Sequence, residues 1–176
     1  SSAASDVYKR QVNDIFNDSN FPNLNGDLLI NCLESFKMPP GRGEIFSLNK
    51  FKIIDDSYNA NPESVKAALD HLSGYKENRK FFVFGDMKEL GANEEIFHKK
   101  IGQYAVEKAD ILLTVGKLAK NAQSNSNNFA LSLHFNDNFS LLEKLNELLT
   151  DGDIVLIKGS RSMQLDQLIN ELKNVK

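Results

Sequence analysis

The chain has a single cysteine, Cys32, among its 176 residues. That excludes an internal disulfide and makes an intracellular, cytoplasmic setting the default expectation. No apolar stretch approaches the roughly 20 residues needed to span a bilayer, and no charged-then-apolar secretory leader opens the sequence. An excess of positive charge is also missing: the formal net charge is -3 and the pI about 5.6. No nucleic-acid or membrane partner is therefore expected, since both surfaces call for concentrated Lys and Arg. Histidine is scarce, and none of His71, His98 and His134 has a second ligand type at metal spacing, so no protein-only metal site is expected. Cys32 itself sits in an amphipathic run with Leu28, Leu29 and Leu33, where a small buried thiol is expected rather than a reactive one. Four prolines and an apolar fraction of 41% fit an ordinary globular chain with one core and a modest appendage.

What the chain does have is a repeated pattern in which an apolar run stops abruptly at polar residues just before a helix. The clearest instance is Ile53-Ile54-Asp55-Asp56-Ser57-Tyr58-Asn59-Ala60-Asn61-Pro62. The pattern returns at Phe81 to Met87, Ile111 to Lys117 and Ile154 to Ser162. Strands are expected at Phe51 to Ile54, Lys80 to Phe84, Ile111 to Val115 and Ile154 to Lys158. Their continuous rather than alternating apolar character suits strands covered on both faces. Helical spacing follows in Val65, Ala68, Leu69 and Leu72, in Ile96, Ile101, Tyr104 and Ala105, and in Leu165, Leu168, Ile169 and Leu172. Strands joined by helical crossovers lie parallel, with their carboxyl ends on one edge, where ligands bind in open α/β sheets. The expected fold is α/β: a Rossmann-like, doubly wound, mostly parallel sheet with helices on both faces.

Along the chain, residues 1–11 match neither helix nor strand and are read as a non-native leader. Residues 12–40 carry a helix-like run, Leu28 to Phe36, without a partner strand, as if it were the tail of a larger domain. Pro39-Pro40-Gly41-Arg42-Gly43 reads as a linker or hinge. A compact domain is expected over residues 41–176, and Ser124 to Asn128 is expected to be an Asn-rich loop tolerant of change.

Several residues at the strand ends could carry chemistry. Asp55 and Asp56 point to opposite sides of a strand, so one of them can face a ligand and accept hydrogen bonds from sugar hydroxyls; capping of the turn by both is the alternative. Tyr58 and Asn59 could hold a heteroaromatic base by stacking and edge hydrogen bonds. Asn61 before Pro62 is the preferred N-cap and first-turn pair, which favours a structural role. Arg42, between two glycines, has room to reach a phosphate bidentately, or is a solvated linker charge. Gly85 to Gly91 allows close backbone approach ahead of a helix starting near Asn93. Lys158, Ser160 and Arg161 surround a strand-to-helix turn and together suggest an anion pocket for a carboxylate or phosphate.

Taken in order, Gly-Arg-Gly-Glu at 41–44, Ile-Asp-Asp-Ser-Tyr-Asn-Ala-Asn-Pro at 54–62, Gly-Asp-Met-Lys-Glu-Leu-Gly at 85–91, His98 and Lys-Gly-Ser-Arg-Ser-Met at 158–163 resemble the C-terminal domain of the Mur ligase family. The run at 54–62 is similar to the branch that adds D-alanyl-D-alanine to UDP-N-acetylmuramoyl tripeptide. The resemblance covers residue 12 to the end, with 12–40 similar to the last part of a central domain. It implies an ATP- and Mg²⁺-dependent amide-bond synthesis in peptidoglycan precursor assembly: a peptide carboxylate takes the γ-phosphoryl group and the incoming amine attacks the acyl phosphate. It further implies that Arg42 contacts the phosphates, that Asp56 meets the ribose, and that Tyr58, Asn59 and Asn61 lie against the nucleotide. Lys158, Ser160 and Arg161 would receive the carboxylate of D-alanyl-D-alanine. Family members are expected to be monomers. The Gly-x-x-Gly-Lys-Thr phosphate loop, the Mg²⁺ ligands and the modified lysine of the central domain do not occur here. No catalytic residue is therefore expected within this segment, and alone it should bind nucleotide weakly and not ligate. A freestanding nucleotide-binding regulatory module is the alternative.

Overall fold

The computed structural model describes residues 39–48 and 51–174. The leader at 1–11, the run from Leu28 to Phe36 and Cys32 lie outside the described residues. The strands are β1 (Glu44–Leu48), β2 (Phe51–Asp56), β3 (Lys80–Gly85), β4 (Ile111–Val115), β5 (Leu131–Phe135) and β6 (Ile154–Lys158). The helices are α1 (Pro62–Ser73), α2 (Glu94–Ala105), α3 (Asn138–Leu148) and α4 (Leu165–Asn174). All six strands form one sheet in the order β1-β2-β6-β3-β4-β5. β1 pairs antiparallel with β2, and every other pairing is parallel.

Successive strand side chains alternate between two apolar layers, which is why the strands read as continuous apolar runs. Ile54, Phe82, Phe84, Leu112 and Leu156 pack on one face beneath α1 and α2. Ile53, Phe81, Val83, Leu113, Val155 and Ile157 pack on the other beneath α3 and α4. The expected doubly wound arrangement is what the chain adopts.

α1 starts where its sequence says it should. Asn61 caps it, Ser64 completes a capping box and Pro62 occupies the first turn, while Val65, Leu69 and Leu72 are buried. α4 buries Leu165, Leu168, Ile169 and Leu172, the stripe read from spacing. α2 departs from expectation: Ile96 is 53% exposed, and the buried row is His98, Ile101, Gly102 and Ala105. An imidazole with two hydrogen-bond partners takes the place that hydrophobicity assigned to isoleucine.

Three elements went unread. β1 and β5 are sheet edges with intermediate or exposed residues, so neither carries a buried-strand signal. α3 is capped by Asp137, whose carboxylate accepts from Ser140 N at 2.8 Å. The expected loop at Ser124 to Asn128 belongs to 3-10 turns over Ala119–Asn128 that bury Ala119 and Ala122.

Topology places the site. β2 and β3 lead from their carboxyl ends into α1 and α2 on the first face, whereas β6, inserted between them, leads towards α4 on the second. Connections therefore diverge on both sides of β6, which is where open α/β sheets form ligand crevices.

Candidate functional site

The two sides of β6 are not equivalent. Towards β3 the crevice is filled: a Cβ added at Gly159 would lie 2.8 Å from Leu165 Cδ1 and 3.1 Å from Gly85 Cα. Ser160 N donates to Asp86 O at 2.9 Å, and Lys88 N donates to Ser160 Oγ at 2.8 Å. Towards β2 the crevice stays open as two cavities that share Gly41, Arg42 and Tyr58 in their walls. The larger, about 630 Å³, reaches Asp55, Arg161, Asp166 and Lys173. The smaller, about 200 Å³, reaches Asp56, Asn59, Asn61, Ser64 and Lys158.

Asp55 and Asp56 divide as a pleated strand requires. Asp55 is buried and its Oδ1 accepts from Ser57 N at 3.1 Å and Ser57 Oγ at 2.6 Å. Asp56 lines the smaller cavity. One carboxylate caps the turn beside the larger cavity and the other lines the smaller one.

Arg42 stands with its guanidinium carbon 4.1 Å from the centre of the Tyr58 ring, a cation–π distance. The segment read as a hinge is fastened to the end of β2: Tyr58 N donates to Gly41 O at 2.9 Å and Gly43 N to Asp55 O at 2.7 Å. Gly41 has φ +75°, and a Cβ there would lie 3.1 Å from Tyr58 N, so a larger residue would be strained. Arg42 is thus part of the domain surface rather than a loose linker charge. Tyr58 is 44% exposed beside it, so part of the ring stays in solvent with Arg42 over it. Asn59 Oδ1 accepts from Ala60 N at 2.8 Å, and Asn61 Oδ1 from Ser64 N at 2.8 Å. Asn61 is first a helix cap, as its place before Pro62 suggested.

The anion pocket expected of Lys158, Ser160 and Arg161 is not one site. Lys158 is only 1% exposed, and its Nζ donates to Asp56 Oδ2 and to Asn59 O. Ser160 is buried and its hydroxyl is engaged by Lys88 N. Arg161 alone stays exposed, on the wall of the larger cavity, paired with Asp166 at 2.9 Å. The correction has a simple cause: Lys158 and Asp56 sit at matched positions on adjacent parallel strands, so the cation meets a carboxylate before it meets any ligand.

Sequence reasoning gave little weight to the loop at 85–91, and the structure shows what it does. Asp86 Oδ1 accepts from Leu118 N at 2.9 Å and Ala119 N at 2.8 Å, while Oδ2 pairs with Lys88 Nζ at 2.8 Å. His98 Nε2 accepts from Met87 N at 2.8 Å, and its Nδ1 lies 2.7 Å from Glu94 O. Those partners assign the proton to Nδ1 and the lone pair to Nε2. Burial holds the His98 imidazole below its ordinary value of 6.5, consistent with a neutral ring. The available signal was the pairing of Asp86 with a glycine on its strand side, a residue type free to let a neighbouring loop close in. Among the described residues no group of three His, Cys, Asp or Glu side chains could hold a metal ion, and no helix is long and apolar enough to cross a membrane.

With that geometry in place, comparison with known proteins is informative. The family described as Mur ligase, glutamate ligase domain, matches residues 41–161. The UDP-N-acetylmuramoyl-tripeptide–D-alanyl-D-alanine ligase of Bacillus subtilis is 39% identical over 128 residues, covering 68% of this chain and 27% of that protein. The Escherichia coli ligase of the same name is 34% identical over 148 residues, covering 80% of this chain and 31% of that protein. Among solved structures, a MurF ligase from Thermotoga maritima in complex with ADP superposes with a TM-score of 0.72 at 26% identity, covering 82% of this chain and 33% of that one. The chain therefore spans about a third or less of the length of these relatives.

Proposed function

The chain belongs to the Mur ligase family, and on that footing we propose that it serves as the C-terminal domain of an ATP-dependent ligase joining D-alanyl-D-alanine to UDP-N-acetylmuramoyl tripeptide. The whole reaction consumes ATP, the tripeptide carboxylate and the dipeptide amine, and releases ADP, phosphate and the new amide. Cytoplasmic location and a monomeric state go with this reading. In such a reaction the protein acts chiefly by positioning and by offsetting charge.

The observation that carries the proposal is the open β2–β6 crevice. It sets a cation, an exposed aromatic ring and a carboxylate within one turn: Arg42, Tyr58 and Asp56. These groups suit the three parts of a nucleotide. Arg42 would offset phosphate charge, Tyr58 with Asn59 would meet the base, and Asp56 would accept from ribose hydroxyls. Asn61 would border the nucleotide while capping α1. Arg161, on the far wall, is the residue left to receive the dipeptide carboxylate, with Ser160 holding the turn beneath it. Mg²⁺, if held partly here, would need phosphate oxygens as its principal ligands, as is usual for that ion.

The test uses a full-length ligase carrying this sequence. Phosphate release should require both the tripeptide and D-alanyl-D-alanine, and Asp56→Ala should raise KM for ATP by about tenfold or more, the size of a lost hydrogen bond to a charged group. Phosphate release that ignores D-alanyl-D-alanine, or tight nucleotide binding by the 176-residue chain alone, would favour a regulatory module instead.

A further inference from the structure

Lys158 is the largest polar side chain among the fully buried ones, yet nothing in the proposed reaction needs an ammonium at that depth. It occupies the last position of the central strand β6, directly across from Asp56 at the end of β2. Its Nζ has two protein partners: Asp56 Oδ2, and Asn59 O at 3.1 Å. One contact fixes a carboxylate oxygen, the other fixes the backbone of the turn that presents Tyr58.

We infer that Lys158 is a positioning residue, which orients Asp56 for recognition of the nucleotide's ribose hydroxyls and does not itself receive substrate. With Oδ2 engaged by Lys158, Oδ1 of Asp56 has no donor among the described residues, and the side chain borders the cavity shared with Tyr58 and Asn59. Rotation of the carboxylate about its terminal torsion is soft in general. The buried ammonium removes that freedom and presents Oδ1 in one direction. Because Asn59 O is gripped by the same nitrogen, the carboxylate and the aromatic turn are held as a unit. The inference rests on the nucleotide reading of Asp56 given above.

Discrimination between ATP and 2′,3′-dideoxy-ATP reports on this contact in a way that loss of stability cannot, since both nucleotides are measured on one preparation and the active fraction cancels. In a full-length ligase carrying this sequence, kcat/KM should favour ATP by about tenfold or more, the size expected of hydroxyl hydrogen bonds to a charged group. Asp56→Asn should reduce that preference, and Lys158→Met should reduce it to a similar extent. A Lys158→Met enzyme that keeps the full preference for ATP while losing activity equally with both nucleotides overturns the inference and leaves the nucleotide reading standing. An Asp56→Asn enzyme that keeps the preference overturns both. Should Lys158→Met fail to fold because it leaves the Asp56 carboxylate unpaired, the double variant Lys158→Met/Asp56→Asn removes both charges. Its KM for ATP should match that of Asp56→Asn alone, and a further rise in KM for D-alanyl-D-alanine would instead assign Lys158 to the amino substrate and refute the positioning role.

Discussion

Replacing Asp86 by alanine should be among the most damaging single changes in the described residues, and replacement by asparagine among the mildest at so buried a carboxylate. Asp86 is 2% exposed. Oδ1 satisfies two backbone donors, Leu118 N and Ala119 N, at the turn after β4, and Oδ2 pairs with Lys88. Alanine removes all three contacts and strands the donor of Ala119, a fully buried residue. At about 1–3 kcal/mol for each unsatisfied buried donor, the two amides together cost roughly 2–6 kcal/mol. Asparagine keeps an oxygen at Oδ1 and so keeps both amides. It loses only the pairing with Lys88, whose side chain is 44% exposed and can turn to water, a loss of about 0–1 kcal/mol. Urea unfolding separates the two cases. With a slope of about 2 kcal/mol per molar for a domain of this size, the midpoint should fall by roughly 1–3 M for Asp86→Ala and by about 0.5 M or less for Asp86→Asn. Equal losses from the two variants would refute the reasoning, because the ion pair rather than the amide acceptor would then hold the loop. Lys88→Met, which leaves the buried Asp86 carboxylate without its cation, should by contrast cost more than Asp86→Asn.

The remaining expectations are compact. Burial lowers the affinity of His98 for a proton, and burial does the same to His71 and His134. Between the depressed folded values and 6.5 the unfolded chain binds more protons, so stability should be level above about pH 6.5 and fall as pH drops below it; His98→Gln should make the slope shallower by up to about 1.4 kcal/mol per pH unit, measured as urea midpoints from pH 5 to 8. Gly159→Ala pushes a methyl group against Leu165 and the Gly85 backbone, and a loss of about 1–3 kcal/mol is expected in the same assay; no loss would mean that β6 and β3 can spread at their ends. Tyr58→Ala, at an exposed position, should change stability by less than about 0.5 kcal/mol yet raise KM for ATP by roughly tenfold in a full-length ligase, the scale of base–aromatic stacking. An unchanged KM would remove the ring from the nucleotide contact.

Much of this fold was legible because its parallel strands are short, apolar and buried on both faces. Ile111–Val115 and Ile154–Lys158 fall at their expected bounds, and the cap at Asn61 with Pro62 is a local signal that needs no tertiary knowledge. β1 and β5 escaped because edge strands bury little and so advertise little. The site was legible in part. Asp56, Arg42 and Tyr58 do converge, since each lies at or beside the end of β2. A strand-end lysine next to glycine and serine looks like an anion site locally, and only the strand order shows that for Lys158 a carboxylate lies opposite.

That strand order also explains why the crevice has one open side. β6 is the last strand in the sequence but a central one in the sheet, flanked by two strands formed much earlier in the chain. On its β3 side the two strand ends carry glycine, at Gly85 and Gly159, and backbone closes on backbone. On its β2 side the matched residues are Asp56 and Lys158, whose side chains form an ion pair at the strand ends. Pairing that cation with that anion is the less expensive way to bury either. The same pairing leaves a carboxylate oriented at the mouth of a cavity. Closure on one side and an open crevice on the other thus go with a single difference, glycine against charged residues, at the ends of three neighbouring strands.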